Sequence, residues 1–223
     1  MDTLSKPKAP RPASRRKTAV SRDPEGTRAR ILAAARDEFA RYGLGGARVD
    51  RIAEAAGTNK RMLYYHVGNK EGLYLAVLEA TYADIRAAER ELSLEKLAPS
   101  DAIARLIAFT WQYFIEHPEF LALLNNENIY RAKHLKGSRN VQSMHSPFVL
   151  LIADVLKRGE AEGVFRPGMD PVQLYISIAA LAYFYLSNAH TLSAIFGRDL
   201  LAQPAKDERL AHMTELVLSA LRP

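Results

Sequence analysis

Val49-Asp-Arg-Ile-Ala-Glu-Ala-Ala-Gly-Thr-Asn-Lys-Arg-Met-Leu-Tyr-Tyr-His-Val67 holds two short apolar segments separated by one glycine. Val49, Ile52, Ala53 and Ala56 recur at helical spacing, Gly57 ends that run, and Leu63 with Val67 marks the inner side of the next one. Helix, turn and helix of these lengths make the layout of a helix-turn-helix. Ala53 suits the point where the two helices cross, because a larger side chain would push them apart. With Leu63 turned inward, Lys60, Arg61, Tyr64 and Tyr65 are left for the outer side, where cations and hydroxyls suit phosphates and base edges in a major groove. The same layout also occurs inside ordinary helical bundles, in which both tyrosines would be core aromatics. Leu63 and Val67 already occupy the buried side, so at least one tyrosine belongs outside, and Tyr64 is favoured.

Working outward, Ile31, Leu32, Ala35, Phe39 and Tyr42 form a stripe closed by Gly43, Gly45 and Gly46, which adds a third small helix to the unit. A compact domain is therefore expected over residues 27–70. From Lys70 to about Leu92, Leu73, Val77 and Ala80 lie on one side and Tyr74, Leu78, Tyr82 and Ile85 on another, so this helix can touch two neighbours and bridge two domains. Residues 71–223 read as a larger helical domain. One helix runs from Pro99 to His117-Pro118, another from Pro118 to about His134, and Leu135–Ser143 reads as a polar loop. A helix through Phe148, Leu151, Ile152, Val155 and Leu156 follows. Asp170-Pro171 looks like a cap and first helical residue opening an almost wholly apolar helix to Asn188, and the last helix carries Leu210, Met213, Val217 and Leu221. No sustained alternation suggests a strand. The expected fold is all-α, with an N-terminal three-helix unit, a larger C-terminal bundle and about nine helices in total.

Net charge is unevenly spread over the 223 residues. Residues 1–69 hold 15 Lys/Arg against 7 Asp/Glu, whereas residues 70–223 hold 16 against 18. One end is strongly basic, and a compact basic module most often meets nucleic acid. Residues 1–26 carry Pro7, Pro10, Pro12 and Pro24 with only Leu4 and Val20 as sizeable apolar groups, and are expected to be a disordered basic tail. Its Arg15, Arg16, Lys17 and Arg22 make it either an arm that tracks phosphates or a solubilising tail.

With no cysteine, disulfides, thiol nucleophiles and thiolate metal sites are excluded together, in keeping with a reducing cytoplasm. The six histidines are scattered without metal-site spacing, so no metal and no cofactor is expected. Val172–Leu186 is shorter than a bilayer needs, and no secretory signal is evident, so neither membrane nor export is indicated. An enzyme is disfavoured, because there is no glycine-rich phosphate loop, no serine elbow and no spaced carboxylate and histidine cluster.

The motifs Ile52-Ala53, Ala56-Gly57, Leu63-Tyr64-Tyr65-His66-Val67 and Lys70-Glu71-Gly72-Leu73, with Phe39 and Gly43 upstream, resemble those of the TetR (tetracycline repressor) family. The resemblance covers residues 28–80; the rest agrees only in length and helical character. It implies that Lys60, Arg61 and Met62 stand at the front of a recognition helix, that Tyr64 and Lys70 clamp phosphates, and that Tyr65 and His66 lie near backbone or bases. Three positions depart from the family pattern. Arg48 replaces a threonine that caps the second helix and adds a cation, Thr58-Asn59 replaces Val-Ser while Asn59 still caps, and Met62 has apolar reach suited to a thymine methyl. A homodimeric repressor on double-stranded palindromic operator DNA, released by a small-molecule effector, is the implied function; an architectural DNA binder without effector is the alternative.

The resemblance also implies dimerisation through the last two helices, about residues 171–188 and 206–221. For the effector, the aromatics Trp111, Phe148 and Tyr175 offer either core or chamber walls. Asn125, Asn128 and Arg131, spaced by three on one expected helical face, offer polar contacts, with Glu127, His145 and Asn188 as further polar groups.

Overall fold

A computed structural model describes residues 24–223, and the reading of the tail falls almost entirely outside them. The described residues form ten α-helices and no strand, in agreement with the all-α expectation. They are α1 (Pro24–Gly46), α2 (Val49–Ala55), α3 (Lys60–Val67), α4 (Lys70–Arg90), α5 (Pro99–Glu116), α6 (Pro118–Ile129), α7 (Arg139–Ala161), α8 (Pro171–Ser187), α9 (Ala189–Phe196) and α10 (Gln203–Leu221). Proline stands at the start of α5, α6, α8 and α10, where its fixed φ suits a helix and its missing N–H costs nothing. Asp170 caps α8 as expected, accepting from the Gln173 amide at 2.8 Å.

Two apolar cores divide the molecule. The first joins Ile31, Phe39, Ile52, Leu63, Leu73 and Leu78, and takes in Leu123 from α6. It does not stop at Lys70. The second gathers Ile85, Leu106, Trp111, Ile152, Ile178 and Met213 around α5. Helix α4 enters both, with Leu73, Tyr74, Val77 and Leu78 in the first and Ile85 in the second. A second bridge has no signal in the sequence: α6 lies on the break in α1 at Gly43 (φ 64°), where a Cβ would stand 2.7 Å from Asn126 Oδ1.

The element bounds differ from the sequence reading in several places, and α10 starts at Gln203, a little before the expected residue 206. Helix α1 starts at Pro24, so residues 24–26 are helix instead of tail. Helix α6 ends at Ile129, not near His134, because Arg131 and Ala132 take left-handed backbone with φ 55° and 57°. The strain of that turn is offset by Glu127, whose buried carboxylate accepts from the His134 amide (2.8 Å), the Leu135 amide (3.1 Å) and His134 Nδ1 (2.8 Å). Helix α7 starts at Arg139 within the expected loop, since Ser138 Oγ accepts from the Val141 amide at 3.2 Å and donates to Glu79 Oε1 at 2.7 Å. Helix α9 is absent from the sequence reading altogether.

Where α7 ends, Phe165 folds back over Gly159, and a Cβ there would fall 2.0 Å from the Phe165 ring. Phe165 is itself buried in the second core. Gly159→Ala should therefore lower unfolding stability by about 1–3 kcal/mol through overpacking, read as a lower urea midpoint with an unchanged slope.

Candidate nucleic-acid interface

Helix α3 presents its outer side through one fixed crossing. Ala53 and Leu63 are buried where α2 meets α3, and Gly57 turns the chain between them at φ 62°. Asn59 Oδ1 accepts from the Met62 amide at 2.9 Å, so the cap expected from Thr58-Asn59 forms, while Thr58 donates its own amide to the Ala53 carbonyl. Arg61, Met62 and Tyr65 are exposed beside it.

Tyr65, 80 % exposed, and not Tyr64, is the outermost of the pair. The helix advances about 100° per residue, so Tyr65 stands nearly opposite the buried Leu63. Tyr64 sits at the margin, half-buried against the first core. His66 is half-buried, its ring edge-on to Tyr65 with centroids 5.5 Å apart.

Two of the cations at the rim have partners. Lys60 Nζ lies 3.1 Å from Asp50 Oδ1, an exposed pair of small worth that a phosphate can replace. Lys70 Nζ donates to the Gly45 carbonyl at 3.4 Å, which lays it across the loop before α2. Asn69 Oδ1 takes the Gly72 amide at 2.7 Å, so one first-turn N–H of α4 is already used.

Arg48 has no side chain bonded to cap α2. Glu38, which the sequence reading missed, supplies the cap from α1. Its buried Oε1 accepts from the Arg48 amide at 2.7 Å, from Arg51 Nε at 2.8 Å and from Arg51 Nη2 at 2.6 Å. Arg51 in turn lies over the Tyr42 ring at 4.3 Å. Nothing in the local pattern around Glu38 signals this, since its partners lie ten and thirteen residues away.

Of the residues proposed for an effector, the fold brings Phe148 and Tyr175 together but breaks up the expected polar face. Trp111, Phe148 and Tyr175 all enter the interior, Trp111 edge-on to Tyr185 and Phe148 edge-on to Tyr175. Asn125 accepts from the Tyr183 hydroxyl. Asn128 is exposed and donates to its own helix at the Leu124 carbonyl, and Arg131 lies beyond the end of α6, so the three do not form one face. Glu127 is spent on the α6–α7 turn described above.

Comparison with known proteins agrees with this geometry. Residues 31–77 match the model for bacterial regulatory proteins of the tetR family, and residues 99–217 match a tetracyclin repressor-like C-terminal domain. The chain is 38 % identical over 208 residues to the HTH-type transcriptional repressor NicS of Pseudomonas putida, covering 93 % of this chain and 98 % of that one. The chain belongs to the TetR family. The HTH-type transcriptional regulator RutR of Escherichia coli K12 is 28 % identical over 195 residues, covering 86 % of this chain and 89 % of RutR. Among solved structures, a Streptomyces coelicolor transcriptional regulator superposes with a TM-score of 0.65 at 28 % identity, covering 88 % of this chain and 99 % of its own. The TetR-family chain is thus a helix-turn-helix transcriptional regulator and not an enzyme.

In this regulator Glu38 ties the entry of α2 to α1. Burial pushes its carboxyl up, yet the hydrogen bonds from Arg51 and the Arg48 amide outweigh burial and hold it below the usual carboxylate range. A depressed native value stabilises the fold above the unfolded value and loses that support as pH falls through the native one. Glu38→Gln should cost about 1–2 kcal/mol at pH 7, and the gap between variant and wild type in thermal melts should close as pH drops below about 4.

Proposed function

We propose that the protein is a homodimeric repressor that grips a palindromic operator in the cytoplasm and is released from it by a small-molecule effector. The observation that carries the DNA half is the outer side of α3, where Arg61, Met62 and Tyr65 stand exposed on a helix whose inner side is locked by Leu63. We assign Arg48, Thr58, Asn59, Lys60, Tyr64, His66 and Lys70 to the same interface, as the family resemblance implies. Lys60, Arg61, Tyr64 and Lys70 serve phosphates, and Met62 with Tyr65 reads base edges.

Dimerisation is supported by a face that one subunit leaves open. Helices α8 and α10 border a groove of about 690 Å³ whose walls include Leu181, Phe184, Leu216 and Val217. Phe184 is 58 % exposed, and Ile176 and Leu216 are exposed beside it. This broad apolar trough suits helices of a second copy, and lies apart from the polar interior between α4, α7 and α8. Two subunits joined there carry two α3 helices, set for half-sites about one DNA turn apart. No single helix among the described residues is long and apolar enough to cross a membrane. NicS is named a repressor, and we extend that sense of regulation to this chain.

Replacing Lys60 and Arg61 together by alanine should abolish footprinting on DNA flanking the gene, and the slope of log affinity against log salt should flatten by about one for each phosphate no longer neutralised. Uniform, sequence-blind protection by the wild type would favour the architectural alternative. Phe184→Asp should sediment as a monomer and bind operator far more weakly, with helical content retained.

A further inference from the structure

Arg86 of α4 is a cation only 2 % exposed, placed between α7 and α8. Its Nη2 donates to the Tyr175 hydroxyl at 2.9 Å, and its Cζ lies 4.3 Å from the Phe148 ring centre. Among the described residues, Nε and Nη1 have no hydrogen-bond partner. Glu89, one turn on, brings Oε2 to 2.9 Å from Nε, but off the N–H direction, so that oxygen too is left without a hydrogen bond.

The pair is poorly matched in charge as well. Burial pushes the Glu89 carboxyl up to about 8, against the pull of Arg86 and Arg90. Burial thus works against the carboxylate beside Arg86, and the ion pair they make leaves two guanidinium nitrogens without a hydrogen bond among the described residues. The other titratable neighbours do not supply a counter-charge. Burial and Arg86 both lower His145, which keeps it neutral, and burial raises the Tyr82 and Tyr175 hydroxyls. A buried guanidinium in this state destabilises the fold, and an apolar side chain of similar volume would pack there at less cost. Its presence calls for an anion that arrives from outside.

We propose that Arg86 anchors the effector, and that the effector is a small organic carboxylate with an aromatic body. The carboxylate accepts from the open guanidinium N–H groups, which match planar oxyanions, and the body packs among Phe148, Tyr175 and Tyr82. This rests on the regulator reading above and names the chemistry of its ligand. The nearest open space is a groove of about 360 Å³ among α1, α4 and α7, lined by Arg28, Glu79, Ala83, Asn140 and Met144 among others, and α7 must yield for a ligand to pass from it to Arg86. Its α4 wall ends at Ala83, one turn before Arg86. Its α7 wall ends at Met144, and Pro147 just beyond leaves the Ser143 carbonyl without its helical amide. That part of α7 has one helical hydrogen bond fewer to break.

The test is thermal stability and operator release of the full-length protein with benzoate, phenylacetate and 4-hydroxybenzoate, each beside its carboxamide, and with inorganic phosphate. At least one acid should raise the melting temperature and lower operator occupancy, while its amide does neither. Arg86→Met should weaken that acid about a hundredfold and Tyr175→Phe about three- to tenfold, both still footprinting the operator. Should Arg86→Met fail to fold, the contrast of acid with amide and the weakening by Tyr175→Phe decide the matter. No acid exceeding its amide, an unchanged response in the folded variants, or phosphate matching the acids would overturn the assignment. Operator binding that still depends on Lys60 and Arg61 would then show that the regulator reading survives without it.

Discussion

The small N-terminal unit is tied to the bundle first of all by α4, a helix that belongs to both cores. The first half of α4 closes the small N-terminal unit through Leu73, Tyr74, Val77 and Leu78, and Ile85 in its second half packs into the bundle around α5. Because packed interiors are dense and yield little, a helix buried at both ends cannot shift in one core without straining the other. The orientation of α3 relative to the bundle is therefore set in part by α4. Helix α6 adds a second hold, laying Leu123 into the first core and Asn126 against the break at Gly43. A reading head fixed at two points has a defined pose relative to the bundle.

Within the reading head, apolar packing sets position while a single carboxylate sets the entry of α2. Glu38 is buried and surrounded by three donors from Arg48 and Arg51, so its charge is well compensated. The arrangement frees the Arg48 side chain: a serine or threonine there would cap α2 itself, whereas arginine can reach outward because α1 supplies the cap. What looks like a missing cap in the sequence is a cap moved to another helix.

Legibility followed the range of the interaction. Features written in neighbouring residues were readable: the α2–α3 crossing at Ala53, the Asn59 and Asp170 caps, the inward Leu63, and the proline starts of α6 and α8. The two tyrosines show a finer limit, since the period placed one of them outside but the choice between Tyr64 and Tyr65 turned on a rotation of about 100°. Features made by distant partners were not readable. Glu38 acts on residues from another helix, the α6–α7 turn takes left-handed backbone at Arg131 and Ala132 because Glu127 gathers three donors, and α7 starts early because Ser138 meets Glu79. The effector residues suffered the same way: Asn125, Asn128 and Arg131 share a spacing, but the helix ends before the third. Arg86 and Glu89 look in sequence like any exposed pair on a charged helix, and only the covering by α7 and α8 gives them their meaning.

That covering points to where motion is least costly. Of the buried polar side chains among the described residues, Thr81, Arg86 and Glu89 are on α4 itself. Ser138 bonds to Glu79 of α4, and Glu127 holds His134 edge-on to Tyr74 of α4. Only Glu38 and Thr110 lie elsewhere. Polar interactions at a helix face depend on direction and can be exchanged, whereas the apolar packing at its two ends is broken by any displacement that opens a void. Helix α4 is held by apolar residues through its first half and at Ile85, and its buried polar groups, Thr81, Arg86 and Glu89, lie between and beyond them. A ligand acts on such an element only through a difference in affinity between two arrangements of it. The flank of α4 facing α7 and α8, where donors are left open, is the place where such a difference can arise.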